Sequence, residues 1–208
     1  MFYKTIDGFL GPEINSRILA YTLSSESQFQ KSTIGSTGKH NPKVRVSSLL
    51  HDLDFFQAEL TQRVLALVPD LIKQLGLTPF SATGVETQIA AHGEGAFYNR
   101  HVDLFTDENR NKQADRLISL VYYFHKEPKS FTGGLLRLYP TLGIPNGSNE
   151  QTIDIVPEQD RAIAFSSWMP HEVLPVSCPS GSFDDSRFAI NCWVLRARSS
   201  PPVDQEQG

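Results

Sequence analysis

The residues best suited to chemistry lie in Phe97-Tyr98-Asn99-Arg100-His101-Val102-Asp103, where a histidine and an aspartate stand two positions apart. In an extended strand, side chains i and i+2 leave the same face, so one ion can take both as ligands. An imidazole and a carboxylate are two of the three groups in the 2-His-1-carboxylate triad that holds non-haem Fe(II). A single His-x-Asp is a weak signal, because so short a motif often arises by chance. The rest of the chain strengthens it. His171 follows the apolar stretch Ala162 to Phe165, in Pro170-His171-Glu172-Val173, and sixteen residues later Arg187 opens Arg187-Phe188-Ala189-Ile190. An arginine's planar fork suits a carboxylate better than lysine's point charge does. His101, Asp103, His171 and Arg187, in that order, carry far more information than the first pair alone.

These four residues need a scaffold, and from about residue 80 the hydrophobic period is that of strands. Val85, Thr87 and Ile89 share one face of an alternating segment from Gly84 to Ala91, and Gly93-Glu94-Gly95 reads as a turn. Leu117 to Phe124 (LISLVYYF) is apolar and rich in strand formers. Leu135 to Tyr139, Ile153 to Val156, Ala162 to Phe165 and Phe188 to Leu195 add four more strands, separated by Gly- and Pro-bearing turns. Many short strands with few helices predict a sandwich or barrel. Thr106 to Arg116 and Gly143 to Gln151 are polar or turn-rich and are expected to be loops, the first able to serve as a lid beside a site.

The first third reads as support. Gly11-Pro12-Glu13 opens a helix predicted to run to Ser24, with Ile14, Ile18, Leu19 and Leu23 on one face. A second helix is predicted from Asp52, where Leu53, Phe56, Leu60, Val64, Leu67, Leu71 and Leu75 form an apolar stripe. Pro69 is expected to break it or to start a second short helix, and Gly76 to stop it. Gln28 to Lys31 reads as a short strand and Gly35 to Lys43 as a loop. The expected organisation is one domain over 1–197, with helical support in 1–82, a β core in 83–197 and a disordered polar tail in 198–208.

Composition narrows the function classes. The formal charge of −4 argues against a nucleic-acid binder that relies on phosphate neutralisation. Cys178 and Cys192 form no CxxC pattern and read as free thiols. No leader-like or membrane-spanning apolar run is present, so a soluble cytoplasmic protein with no membrane partner is the expectation.

With those residues in view, the chain resembles the 2-oxoglutarate- and Fe(II)-dependent oxygenases. It looks closest to the prolyl 4-hydroxylase-like branch, which includes the hypoxia-sensing and the ribosomal prolyl hydroxylases. The resemblance covers roughly residues 84 to 195. It is carried by Tyr98 to Asp103, Val121-Tyr122-Tyr123-Phe124, Gly133-Gly134-Leu135-Leu136-Arg137-Leu138, Pro170 to Val173 and Arg187 to Ile190. It implies a mainly β fold, a double-stranded β-helix (a cupin-like jelly roll) buttressed by N-terminal helices.

By the same resemblance, His101, Asp103 and His171 match the iron ligands, and Arg187 matches the residue that pairs with the distal carboxylate of 2-oxoglutarate. One of Tyr122 and Tyr123, with Tyr123 preferred, matches a tyrosine that bonds the cosubstrate, and Tyr98 is expected to line the pocket. The implied reaction consumes 2-oxoglutarate and dioxygen, with ascorbate as an accessory reductant, and hydroxylates an unactivated C–H bond with release of succinate and carbon dioxide. Asp103 favours hydroxylation over halogenation, since halogenases of this superfamily carry a small residue there. The expected substrate is a prolyl residue in a protein or peptide. The alternatives are a free amino acid or natural-product intermediate, or a metal-binding β-sandwich without turnover. A peptide predicts an open groove beside the iron, and a free amino acid predicts a closed pocket with a second carboxylate-binding arginine.

Some residues depart from the pattern or stay open. Ser177 to Ser186 is an additional loop before Arg187. His92 stands where an aromatic or small residue is usual, and reads as a satisfied structural histidine, with a role beside the site as the alternative. Arg137 reads as either a substrate-facing group or an outward ion pair. His40, His51 and His125 read as solvated, and Phe131 and Trp168 as packing groups, with Trp168 close enough to His171 to line the site as the alternative.

Overall fold

The computed structural model describes residues 1–33, 40–54, 56–104, 114–140 and 151–198. Fourteen strands and two α-helices lie among them. The strands are β1 (Tyr3–Asp7), β2 (Gln30–Lys31), β3 (Arg45–Val46), β4 (Ser48–Leu50), β5 (Ala82–His92), β6 (Phe97–His101), β7 (Ala114–Phe124), β8 (Thr132–Gly133), β9 (Leu136–Leu138), β10 (Ile153–Ile155), β11 (Arg161–Ser166), β12 (His171–Val173), β13 (Val176–Ser177) and β14 (Arg187–Ala197). The helices are α1 (Pro12–Ser24) and α2 (Phe56–Leu75). Seven strands pair in the order β1-β11-β7-β14-β5-β4-β2, and five in the order β10-β9-β12-β6-β3, with β13 and β8 as a small third pair. The two large sheets face each other as a double-stranded β-helix, and the helices cover the outside of the larger one.

Strand β7 explains the layering. Its run is apolar on both faces because both are buried, as expected of a strand covered on two sides. Ile118, Leu120, Tyr122 and Phe124 belong to the cluster shared with the helices, and Val121 and Tyr123 to the cluster between the sheets. The period of two therefore sends adjacent tyrosines into different cores. Tyr122 accepts a hydrogen bond from Asn15 of α1 at 2.6 Å and donates one to Asp160 at 3.1 Å.

Helix α1 starts at Pro12, whose fixed φ suits a first helical turn. Asp160, at the turn before β11, accepts hydrogen bonds from the backbone N–H groups of Leu10 and Gly11, both at 2.9 Å. A distant carboxylate thus satisfies donors at the helix entrance. Helix α2 buries Phe56, Leu60, Val64, Val68 and Leu71, so the stripe turns slightly at Val68 rather than Leu67. Leu60→Ala, which empties a fully packed site, is expected to cost about 2–5 kcal/mol in chemical denaturation.

The N-terminal third differs from the helical support expected of it. Besides β2, which falls within the expected strand Gln28 to Lys31, it supplies β1, β3 and β4, and β1 caps one edge of the large sheet by pairing with β11. Such short strands carry too few residues for a period to register. Pro69 does not break α2. It sits on the exposed side, while the buried stripe holds the helix together. The helix begins at Phe56 and not Asp52, because Asp52 accepts from the Asp54 N–H in a local turn. Gly76, at φ 67°, ends it, with Leu77 N–H bonding back to Ile72.

The loops expected at 35–43, 106–116 and 143–151 lie mostly outside the described residues, as does 199–208 of the expected tail. Arg198 itself is ion-paired with Asp115 at 2.5 Å. Ser177 to Ser186, expected as a loop, holds β13 and a 3-10 turn (Phe183–Asp185), and Lys126 pairs with Asp184 at 2.6 Å. His40 and His51 are exposed as expected, but His125 is buried against Phe131 and bonds the Lys126 carbonyl at 3.0 Å. Phe131 is a packing group, whereas Trp168 is 40% exposed in the turn that leads to His171. Arg137 points outward and pairs with Asp154 at 2.7 and 2.8 Å. Both cysteines are free and buried. Among the described residues, no helix is long and apolar enough to cross a membrane.

Candidate active site

Four chain segments meet at one end of the space between the sheets. His101 is the last residue of β6 and His171 the first of β12, and the two are cross-strand partners. Asp103 does not share the strand of His101, as the His-x-Asp spacing suggested. β6 ends at His101, and Asp103 sits in the bend beyond it, anchored by its own N–H to the Ser167 carbonyl at 2.9 Å. The bend brings the carboxylate round to the imidazoles. Asp103 Oδ1 lies 3.7 Å from His101 Nε2, and Oδ2 lies 3.5 Å from His171 Nε2. Potential ligand atoms from the three residues all fall within 4.8 Å of one another.

Hydrogen bonds orient each ligand. His101 Nδ1 bonds the Asn99 carbonyl at 2.8 Å, and His171 Nδ1 bonds the Met169 carbonyl at 2.9 Å. A carbonyl only accepts, so both rings carry their proton on Nδ1 and present the Nε2 lone pair inward. Ser119 donates to Asp103 Oδ2 at 2.6 Å and meets Ser167 at 2.9 Å. Tyr98 stacks on His101 with centroids 3.5 Å apart, and Phe165 meets His171 edge-on at 4.8 Å.

The electrostatics agree with a cation site. Burial and the neighbouring His171 push the His101 imidazolium down to about 3, so the ring is neutral. Burial alone would raise the Asp103 carboxyl, but His171, His101 and the bond from Ser119 outweigh it and hold it below its ordinary value. Two imidazole nitrogens and one carboxylate facing a common point fit a divalent iron with positions left open.

The same cavity, of about 400 Å³, is lined by Arg187 and His92 as well as the three ligands. Arg187 opens β14 opposite His92 on β5. It is only 1% exposed, yet no carboxylate lies within 4.0 Å of it among the described residues. Its Nε donates to the Gly134 carbonyl at 2.8 Å, and the guanidinium carbon lies 4.9 Å from the centre of the Tyr123 ring. Gly133 and Gly134 have positive φ, and a Cβ on Gly134 would come within 2.6 Å of Arg187 Cδ. Gly134 is therefore the cradle for this side chain, and Gly133 is kept bare by the Pro175 carbonyl. Burial lowers the Arg187 pKa, without removing a charge that guanidinium never gives up in practice. A buried cation without a counter-ion is costly unless an anion binds there.

Comparison with known proteins agrees with this arrangement. Residues 87–195 match the model of the 2OG-Fe(II) oxygenase superfamily, a span that holds all four site residues. The chain belongs to that superfamily. Fe(II), 2-oxoglutarate and dioxygen come with membership, and the donor set described above fits the first of them. This member is 36% identical over 199 residues to an uncharacterised PKHD-type hydroxylase of Synechocystis, a match covering 93% of the chain and 63% of that relative. It thus spans less than two thirds of the relative's length. Its fold is shared with a prolyl-4-hydroxylase of Pseudomonas putida, at TM-score 0.63 and 22% identity, over 95% of this chain and 93% of that one. A prolyl hydroxylase of Trichoplax adhaerens, crystallised with a hypoxia-inducible-factor peptide, aligns with TM-score 0.65 and 23% identity over 93% and 83% of the chains.

All the site residues expected from the sequence are brought together except Tyr122, which faces the helices; Tyr123 lies between the sheets beside Arg187. Sequence reasoning passed over Ser119, Arg45, Gln88 and Asn191. Ser119 had a signal, a lone hydroxyl in the apolar run of β7. Arg45 had none, since β3 is two residues long and reaches the cavity only by pairing with β6.

Proposed function

We propose that this superfamily member is an Fe(II)- and 2-oxoglutarate-dependent hydroxylase acting on a prolyl residue of a protein or peptide. One observation carries the reading: a His-Asp-His cluster and a buried, uncompensated arginine line the same cavity. In this reading His101, Asp103 and His171 hold the iron, and Arg187 pairs with the distal carboxylate of 2-oxoglutarate, with Tyr123 beside it. When bound, iron and 2-oxoglutarate supply the oxidising chemistry: one oxygen atom of dioxygen enters succinate with loss of carbon dioxide, and the other enters the substrate C–H bond.

The chain's own residues do the rest. The carbonyls of Asn99 and Met169 keep both imidazoles in the ligating tautomer. Ser119 fixes Asp103 so that one carboxylate oxygen stays turned to the cluster. Arg187 sets the depth to which a dicarboxylate enters, because its fork is held by Gly134 below and Tyr123 alongside. Gly134→Ala is expected to displace Arg187 and raise the KM for 2-oxoglutarate about tenfold, with a smaller change in KM for dioxygen. Steady-state kinetics at varied concentrations of each checks this.

Support for a peptide substrate comes from the fold shared with prolyl hydroxylases, one crystallised with a peptide. The cavity wall offers Gln88 and Asn191, adjacent amides on β5 and β14 suited to peptide groups, and Trp168 is exposed next to His171. One observation favours a small carboxylate substrate instead. Arg45 lines the cavity, is 8% exposed, stacks over Tyr98 at 4.6 Å, and has no carboxylate within 4.0 Å among the described residues. That is the second arginine expected for a free amino acid. Mass spectrometry for products heavier by one oxygen, on proline-containing peptides and an amino-acid panel in parallel, separates the two. Succinate release without any product in either set points to uncoupled turnover. No succinate at all overturns the enzymatic reading in favour of a metal-binding module.

A further inference from the structure

Of the two readings of His92, a satisfied structural histidine or a group beside the site, its surroundings favour the second. It ends β5 directly opposite Arg187, is 3% exposed, and lines the cavity. Its Nδ1 lies 3.4 Å from a terminal guanidinium nitrogen of Arg187. A guanidinium only donates, so a hydrogen bond at this contact makes Nδ1 the acceptor. The neutral ring then carries its proton on Nε2. Burial, with Arg187 and Arg45 adding to it, outweighs the pull of the Arg187 backbone and holds the His92 imidazolium well below its ordinary range, in keeping with a neutral ring. Nε2–H is consequently a buried donor, and it has no hydrogen-bond partner among the described residues. The hydroxyl oxygen of Tyr123 faces the same arginine, and its O–H has no acceptor among the described residues.

This corner holds a cation, a ring N–H and a hydroxyl, with no anionic acceptor among the described residues. Leaving a buried donor unpaired is costly, and natural proteins rarely do so without a ligand or water to accept from it. A carboxylate brings two oxygens and the negative charge that the cation lacks. We infer that His92, in the tautomer set by Arg187, donates its Nε2–H to the distal carboxylate of the bound 2-oxo acid. His92 is then a positioning and selectivity residue for dicarboxylates. The inference rests on the reading of Arg187 given above and adds a residue to it.

The test is equilibrium binding by calorimetry to the anaerobic Fe(II)-loaded protein, with 2-oxoglutarate and with pyruvate, which has the 2-oxo acid group and no distal carboxylate. His92→Phe keeps the ring shape and removes the donor, and is expected to weaken 2-oxoglutarate about 10- to 100-fold. Pyruvate and iron affinities should stay at the wild-type level. His92→Gln, which can return an N–H near the Nε2 position, should recover most of the loss. In the wild-type protein loaded with diamagnetic Zn(II), nitrogen-15 histidine spectra should give the Nε2-protonated tautomer and a shift of that signal on adding 2-oxoglutarate. This measurement does not depend on the variant folding. Unchanged 2-oxoglutarate affinity in His92→Phe, or an Nδ1-protonated ring in the wild type, overturns the role of His92 and leaves Arg187 untouched. Absence of 2-oxoglutarate binding by the wild type overturns both.

Discussion

Alanine at His101, Asp103 or His171 should abolish stoichiometric Fe(II) binding and cut succinate release at least about 100-fold. The size of the effect follows from how the three groups are held. None is a mobile surface side chain: the imidazoles are fixed by carbonyl acceptors and Asp103 by Ser119 and its own backbone bond to Ser167. With one donor gone, the remaining two cannot close on the ion, since their positions are set by β6 and β12 and not by the metal. Stability should move much less than activity. Asp103→Ala removes a carboxylate whose burial works against it, and Ser119 and Ser167 still have each other. Iron content after anaerobic loading, read with a thermal melt of each variant, checks both halves. A variant with a normal melt and full iron content would refute the ligand assignment.

Arg187→Leu is the second large effect. It should weaken 2-oxoglutarate binding by about two to four orders of magnitude, because two charge-assisted hydrogen bonds are lost together. Arg187→Lys should recover little, as an ammonium is a point charge without the fork and lacks the Nε–H that anchors the side chain on Gly134. The substitution should not destabilise the protein without cosubstrate, and a rise in melting temperature is expected. It removes a cation 1% exposed with no carboxylate within ion-pair distance among the described residues, so the native fold gives up an unfavourable burial. Stability gained while affinity falls marks a residue kept for binding. A concentration series of 2-oxoglutarate on both variants, with melts in its absence, gives the two readings. A Leu variant that binds normally would move the anchor to another cation; Arg45 and Arg116 line the same cavity, and Arg116 is already paired with Glu86, which leaves Arg45 as the candidate.

Much of the scaffold was readable because it rests on local periodicity. The run Leu117 to Phe124 and the stripe from Phe56 to Leu71 are long enough for a period to stand out, and both are core elements here. Of the strands of two or three residues, β2 falls within the expected strand Gln28 to Lys31, but β3, β4 and β8 were not readable in that way. They exist because a neighbouring strand offers hydrogen bonds, and no local pattern announces it. Pro69 shows the converse, a strong local rule overruled by packing on the far side of the helix.

By itself the sequence determined the chemistry on offer: two histidines, an aspartate and an arginine in an order that limits them to few uses, set among strands that bring their ends together. Only the tertiary structure decided which groups face that chemistry. It turned Tyr123 inward and Tyr122 toward the helices, sent Arg137 out to Asp154, and bent Asp103 off the strand of His101. It also carried Arg45 to the cavity and set His92 against Arg187, 95 positions away. The physical reason is range. Residue type and spacing of two to four are local properties, whereas whether a buried donor has a partner depends on strands paired across the whole chain.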